Sequence, residues 1–192
     1  FGRSIYRSLV DTGRVMSDPE IQEYVQDVGM KLSSQAQDGD FRFKFFVVND
    51  PAINAFALPG GYIGIHSGLL LATGSESELA GVLAHEISHV TQRHISRAVF
   101  ANQRSSILTM AAMLGAILLG AVGGSGDVIT GAIATAQGVA AQQQINFTRA
   151  NEYEADRVGV GVLAAAGFDP MGMPDFFETL ARQTGPLASQ AP

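Results

Sequence analysis

The chain has 192 residues, 46% of them hydrophobic and 16% charged, enough for one domain, or one domain with an appendage, to bury a sizeable core. Twelve Lys and Arg against 18 Asp and Glu give a net charge of -6 with no basic run, which argues against a nucleic-acid partner. Cysteine is absent, so disulfides and thiolate ligands are excluded and a metal would have to be held by His and carboxylate.

The chain opens at Phe1 with neither an initiator Met nor a signal peptide, which reads as a piece of a longer protein whose address lies elsewhere. Ile5, Leu9 and Val10 suggest a short first helix ended by Gly13. Asp18-Pro19-Glu20 then supplies an N-cap, a proline at the first helical position and an early acid. Ile21, Tyr24, Val25, Val28 and Leu32 follow at helical spacing, and this second helix is expected to run to about Gln37.

Phe41 to Val48 begins in strict alternation and ends continuously apolar, as a strand does when it passes from a half-exposed edge into a core. Asn49-Asp50-Pro51 breaks it. A second strand runs through Ile53, Ala55 and Ala57, Pro59-Gly60-Gly61 turns the chain, and Tyr62 to His66 returns as a third strand. These three are expected to make a small antiparallel sheet.

Ser75 with Glu78 three residues later is a capping box, predicting a helix from about Glu76 to at least Ala98. Within it His85-Glu86-Ile87-Ser88-His89 reads H-E-x-x-H, the metalloprotease pattern. Two histidines four residues apart lie about 40° apart around a helix and about 6 Å apart along it, so both imidazoles can reach one ion, zinc being the first candidate. A zinc held this way makes hydroxide available near neutral pH, and Glu86 is the natural proton acceptor. His and Glu also occur on helix faces for solubility alone. Here, however, Glu86 projects onto the apolar face made by Leu79, Val82, Leu83 and Val90, where an acid is costly without a task or a partner.

Between Arg104 and Arg149 the only charged residue is Asp127. Ile107 to Val122 is almost wholly apolar, Gly123 to Asp127 turns the chain, and Val128 to Ala141 is rich in Ala and Gly, which predicts an apolar helical hairpin at about 105–147. Its 16-residue first arm falls short of the roughly 20 residues that span a bilayer, so an interfacial or buried hairpin is expected. Thr148 or Asn151 would cap the next helix, which should end at Gly167. Asp169-Pro170 opens a last helix with Met173, Phe176, Phe177 and Leu180, and 186–192 reads as a disordered tail.

A catalytic zinc usually has three protein ligands and water, so the motif is one ligand short. Asn151 to Asp156 offers carboxylates, and Glu152 and Asp156 stand i, i+4 on one face. That spacing suits Glu152 on the metal and Asp156 accepting the second N–H of a ligating His. Glu154 lies far round the helix from both, though an acid-rich helix start is more often simple dipole complementation.

Three stretches in this order resemble one family: Asn54 to Gly61, His85 to His94 read as H-E-x-x-H-x-x-x-R-H, and Arg149 to Asp156. The family is that of the zinc metallopeptidases related to the CAAX prenyl endopeptidase, HtpX and the periplasmic beta-barrel assembly-enhancing protease, and the resemblance spans about Asp18 to Leu180. It implies an α+β, zincin-like fold, mainly helical, with the small antiparallel sheet ahead of the H-E-x-x-H helix, in a single domain over 1–185. By the same resemblance one zinc per chain is held by His85, His89 and Glu152, with Glu86 as catalytic base and Asp156 behind the ligands. Relatives often add a His-Pro element and a basic residue near the site, which this sequence lacks. His94, about 140° round the helix from His89, reads as a structural His, Arg93, about 40° from His89, either pairs with a carboxylate behind the ligands or is solvated, and His66 reads as an ordinary strand residue.

The expected activity is endoproteolysis of unfolded or misassembled cell-envelope proteins in the bacterial periplasm, with Asn54, Ala55, Phe56 and Ala57 holding the substrate extended. The partners would be polypeptides, with membrane-surface or envelope contact through 105–147. The alternative is a zinc-containing chaperone or assembly factor that binds clients with little cleavage.

Overall fold

The structure is a computed structural model that describes residues 2–36, 41–101, 110 and 126–184. Backbone proximity divides the chain into two compact units, Phe1–Gln92 with Glu154–Pro192, and Arg93–Tyr153.

In the first unit α1 (Gly2–Asp11) ends before Gly13, whose φ of 68° is the left-handed conformation that favours glycine. α2 (Pro19–Ser33) starts as expected: Asp18 accepts from the amides of Glu20 at 3.0 Å and Ile21 at 3.2 Å, with Pro19 in the first turn. It stops short of the expected end, where the Ser33 and Ser34 hydroxyls donate to the carbonyls of Met30 and Lys31.

Three strands, β1 (Lys44–Val48), β2 (Ala55–Leu58) and β3 (Tyr62–His66), form one sheet in the order β1-β3-β2. The expectation of an antiparallel sheet is corrected: β2 and β3 pair antiparallel, but β1 and β3 pair parallel. The reason is local and then geometric. Gly60 and Gly61, with φ of 91° and 83°, make a turn tight enough to lay β3 directly against β2. β1, which runs opposite to β2, can then only join the far edge of β3, and there it points the same way. Phe41 to Phe43 fall outside the ladder because β3 ends opposite Lys44, whose amide donates to the Gly61 carbonyl at 2.9 Å.

Alternation gives the sheet two faces. Phe45, Val47, Ile63 and Ile65 join Val25, Val28 and Leu32 of α2 in the main core. On the other face Phe46 meets Tyr6 of α1 and Phe56, their ring centroids 5.0 and 5.9 Å away, and a Cβ on Gly64 would collide with the Phe56 ring. A short α3 (Ser67–Ala72), not foreseen from the sequence, leads to α4 (Glu76–Thr91).

α4 carries the H-E-x-x-H motif through the core, with Leu79, Leu83 and Ile87 fully buried. It does not reach Ala98. The helix ends at Thr91, the chain turns at Gln92 and Arg93, Arg93 takes a left-handed φ of 54°, and residues 94–101 are helical again. The Ser88 and Thr91 hydroxyls donate back to the carbonyls of Ala84 and Ser88, a competition with the helical ladder that sequence periodicity does not register.

α5 (Gly126–Ala165) is one helix of 40 residues, in the second unit up to Tyr153 and in the first from Glu154. The expected helix start at Thr148 or Asn151 is therefore corrected. The Thr148 hydroxyl donates to the Gln144 carbonyl at 3.0 Å, inside the helix instead of capping it, and the Ala- and Gln-rich residues before it are good helix formers. Of the expected hairpin, residues 102–109 and 111–125 lie outside the described residues, as does the tail 186–192, and Gly126 and Asp127, expected in the turn, open α5. α5 ends at Ala165, before Gly167 with φ 78°, and α6 (Gly172–Thr184) follows. α6 packs close on α4: a Cβ on Gly81 would come within 2.8 Å of Met173 Cα.

Candidate metal centre

The phase of α4 is fixed at its start, where the Ser75 hydroxyl accepts from the Glu78 amide at 3.2 Å and the Glu78 carboxylate accepts from the Gly74 amide at 2.9 Å. With Leu79, Leu83 and Ile87 held in the core, His85, Glu86 and His89 are left half-buried on the flank. The two imidazoles meet edge to face, their centroids 4.7 Å apart and their Nε2 atoms 3.0 Å apart.

α5 crosses α4 at this level because it carries a glycine there. A Cβ on Gly159 would lie 3.2 Å from the His85 amide nitrogen and 3.3 Å from the Ala84 carbonyl carbon, and Ala155 one turn earlier is fully buried. The close approach brings Asp156 Oδ1 to 2.8 Å from His85 Nδ1. A neutral His85 that donates from Nδ1 to this carboxylate would keep its lone pair on Nε2, the atom that faces His89.

The helix is unbroken from Asp156 back to Glu152, which stands one turn earlier on the same face. Among the described residues His85, His89 and Glu152 form the one group able to hold a metal ion, their ligand atoms all within 4.8 Å of one another. Tetrahedral ligands at about 2.0 to 2.2 Å from a zinc ion are separated by about 3.3 to 3.6 Å. Small side-chain adjustments therefore suffice for these donors to close on one ion, and the set of two imidazoles and a carboxylate suits zinc.

Glu86 and His85 border a cavity of about 170 Å³ whose other walls come from Ile53, Leu69, Val82, Phe176, Phe177 and Leu180. Asn54 and Ala55 line the same cavity. β2 is an edge strand of the sheet. The Asn54 carbonyl accepts from the His66 amide at 2.9 Å, so by the alternation of an antiparallel ladder Ala55 and Ala57 turn their backbone groups to the open edge. The Phe56 side chain lies on the opposite face, against Phe46 and the His66 ring.

His66 stands apart from the metal-capable group, at the end of β3 with Nδ1 3.5 Å from Asp50 Oδ1. Asp50 is held below the usual carboxylate range, chiefly by the Ala52 amide that donates to it at 2.9 Å, against the opposing effect of burial and with help from His66 and Arg14. His94 is buried and follows the Arg93 turn, so positions counted round a continuous helix do not apply to either residue. Phe177 was expected only as part of an amphipathic stripe. Adjacent helical residues point about 100° apart, so Phe176 and Phe177 cannot both face one core, and Phe176 is 4% exposed while Phe177 is 45% exposed beside His85.

The model of peptidase family M48 matches residues 18–190. The chain is 47% identical over 181 residues to a putative beta-barrel assembly-enhancing protease of Vibrio cholerae, covering 94% of this chain and 37% of that protein. It is 44% identical over 180 residues to the beta-barrel assembly-enhancing protease of Escherichia coli, covering 92% and 36%. With the mitochondrial metalloendopeptidase OMA1 of Arabidopsis thaliana it shares 32% identity over 172 residues, covering 90% and 33%. The chain thus spans about a third of the length of these three relatives.

Proposed function

The chain belongs to peptidase family M48, and from that premise we propose that it is the catalytic part of a zinc-dependent endopeptidase acting on unfolded or misassembled proteins of the bacterial envelope. The observation that carries this reading is the convergence of His85, His89 and Glu152 within 4.8 Å, with Glu86 in the turn between the two histidines. The periplasmic address and the client class rest on the relatives named as beta-barrel assembly-enhancing proteases.

His85, His89 and Glu152 would hold the ion. When bound there, zinc supplies Lewis acidity toward the scissile carbonyl and acidifies a water to a pKa of about 7. The chain's own residues do the rest. Asp156 fixes the His85 ring and keeps its proton on Nδ1. Glu86, half-buried beside an apolar cavity, accepts the proton of the attacking water and passes it to the leaving amine. Ala55 and Ala57 offer backbone N–H and C=O groups to an extended substrate, a mode of pairing that tolerates varied sequence, while Asn54 and Phe56 hold the strand to β3.

Envelope contact through 105–147 belongs to this reading as well. Among the described residues of that stretch, Val139 and Ile145 are 51% and 47% exposed on α5, while no described helix is long and apolar enough to cross a membrane. Vesicle flotation with Val139→Ser and Ile145→Ser tests that contact.

The decisive comparison for the peptidase is between wild type and Glu86→Gln on denatured casein, with bound zinc measured on the same samples. The amide keeps the shape and removes the base, so zinc should stay while proteolysis falls by about 10² or more. Cleavage at the wild-type rate would exclude Glu86 as the base.

A further inference from the structure

A second cavity, of about 460 Å³, adjoins the one beside Glu86 and shares Ile53 with it. α3 gives Leu69 to the first cavity and Leu71 and Ala72 to the second. α6 gives Leu180 to the first and Gln183, one turn on, to the second. The second cavity therefore continues the first on the side of Pro51 and Asn49, which also line it.

Its walls are pinned by hydrogen bonds. The Ser67 hydroxyl donates to the Asp50 carbonyl at 2.9 Å and accepts from the Asp50 amide at 3.1 Å, and the Gly68 amide donates to the same carbonyl at 3.0 Å. A Cβ on Gly68 would overlap the Pro51 carbonyl, so only glycine lets the loop lie this close to α3.

Strand direction identifies what reaches this cavity. Antiparallel pairing is the more stable mode, and a substrate so paired with the open edge of β2 runs its N-terminal side toward Leu58 and its C-terminal side past Asn54. The bond to be cut lies level with Asn54 and Ala55, which border the cavity of Glu86. At about 3.3 Å per residue, the substrate residues that pass Ile53 and Pro51 are about the third to the fifth C-terminal to that bond.

Backbone pairing cannot continue that far. Pro51 has no N–H to give, and the Ala52 amide already donates to Asp50 at 2.9 Å. In its place the cavity presents the side-chain amides of Asn49 and Gln183, each with two donors and an acceptor, the complement of a peptide group. No ionisable residue lines it, so a terminal carboxylate would find no cation there. At about 30 Å³ of liquid volume per water its volume is that of about fifteen waters, room for a short length of chain with its side chains. Leu71, 86% exposed, gives the rim an apolar surface for them.

We propose that this second cavity is a distal substrate subsite, which grips the main chain of about the third to the fifth residue C-terminal to the scissile bond through Asn49 and Gln183. The assignment rests on the peptidase reading above and adds to it a substrate class: internal segments of extended polypeptide with about four or more residues beyond the bond, in preference to chain ends.

The test is a series of amide-capped peptides, identical up to the bond, that carry one to six residues C-terminal to it and are cut by the full-length zinc-loaded protein. Mass spectrometry locates each cut. Wild type should gain about 10- to 100-fold in kcat/KM as the third to fifth residues are added, and little from the sixth. Asn49→Ala and Gln183→Ala should each lower the ratio of long- to short-peptide cleavage several-fold. Gln183→Arg, which gives the cavity a cation, should create a preference for Asp over Ala at the fourth residue. These are ratios within one enzyme preparation, so partial misfolding of a variant cannot imitate them. Glu86-dependent cleavage that ignores C-terminal length, or ratios that none of the three substitutions moves, overturns the subsite and leaves the peptidase standing. Absence of any Glu86-dependent cleavage by zinc-loaded protein defeats the peptidase reading and the subsite with it.

Discussion

Asp156 holds His85 by the ring nitrogen that points away from His89, with Oδ1 2.8 Å from Nδ1. Two helices far apart in sequence are joined at this contact, and on the proposed reading it sets which nitrogen of His85 has a lone pair to give. Asp156→Ala should therefore weaken zinc retention by about 10- to 100-fold, read by chelator competition. An unchanged affinity would reduce Asp156 to a helix residue without a part in the site.

The crossing of α5 over α4 depends on Gly159. Gly159→Val puts methyl groups where even a Cβ would sit 3.2 Å from the His85 backbone nitrogen. It should cost about 1 to 3 kcal/mol by overpacking and lower zinc affinity too, because Asp156 moves with the helix. Gly161→Val is the control, since a Cβ there meets nothing within 4 Å. Equal melting temperatures for the two variants would contradict the crossing.

The start of α4 predicts a purely structural loss. Ser75→Ala removes the acceptor for the Glu78 amide and should cost about 0.5 to 2 kcal/mol in denaturant unfolding, with zinc stoichiometry unchanged. A loss of zinc without a loss of stability would mean that the cap acts on the site directly.

What the sequence made legible was punctuation and local spacing. Asp18, Ser75, Gly13 and Gly167 act where they were read, because each effect is set within a few residues. Helical spacing made His85 with His89, and Glu152 with Asp156, legible as pairs each on one helix face, while the meeting of the two pairs was implied only by the family resemblance. The parallel pairing of β1 with β3 was not legible, because strand order depends on which edge is open once β2 and β3 have paired. The turn at Arg93 was missed because Thr91, Gln92 and Arg93 all suit a helix. The continuity of α5 through Thr148 was missed because a threonine that bonds back within a helix looks, in sequence, like one that caps it. Phe177 was hidden in a stripe that the backbone rotates partly out of the core.

Asp50 provides a pH-dependent prediction outside the site. Its folded pKa lies below the ordinary 3.8, first because of the Ala52 amide. A depressed carboxylate contributes stability that is present above its ordinary pKa and lost as pH falls through the folded value. The stability difference between wild type and Asp50→Asn should therefore shrink as the pH falls below the ordinary carboxylate pKa. A difference that persists undiminished at pH 2 would show that ionisation of Asp50 plays no part.

The most direct measurement is anomalous diffraction at the zinc edge from crystals of the full-length protein. The account predicts a single zinc peak bonded to Nε2 of His85, Nε2 of His89 and the carboxylate of Glu152, each at about 2.0 to 2.2 Å. A peak ligated by Glu154 or His94 in place of Glu152, or no zinc at the two histidines, would contradict it.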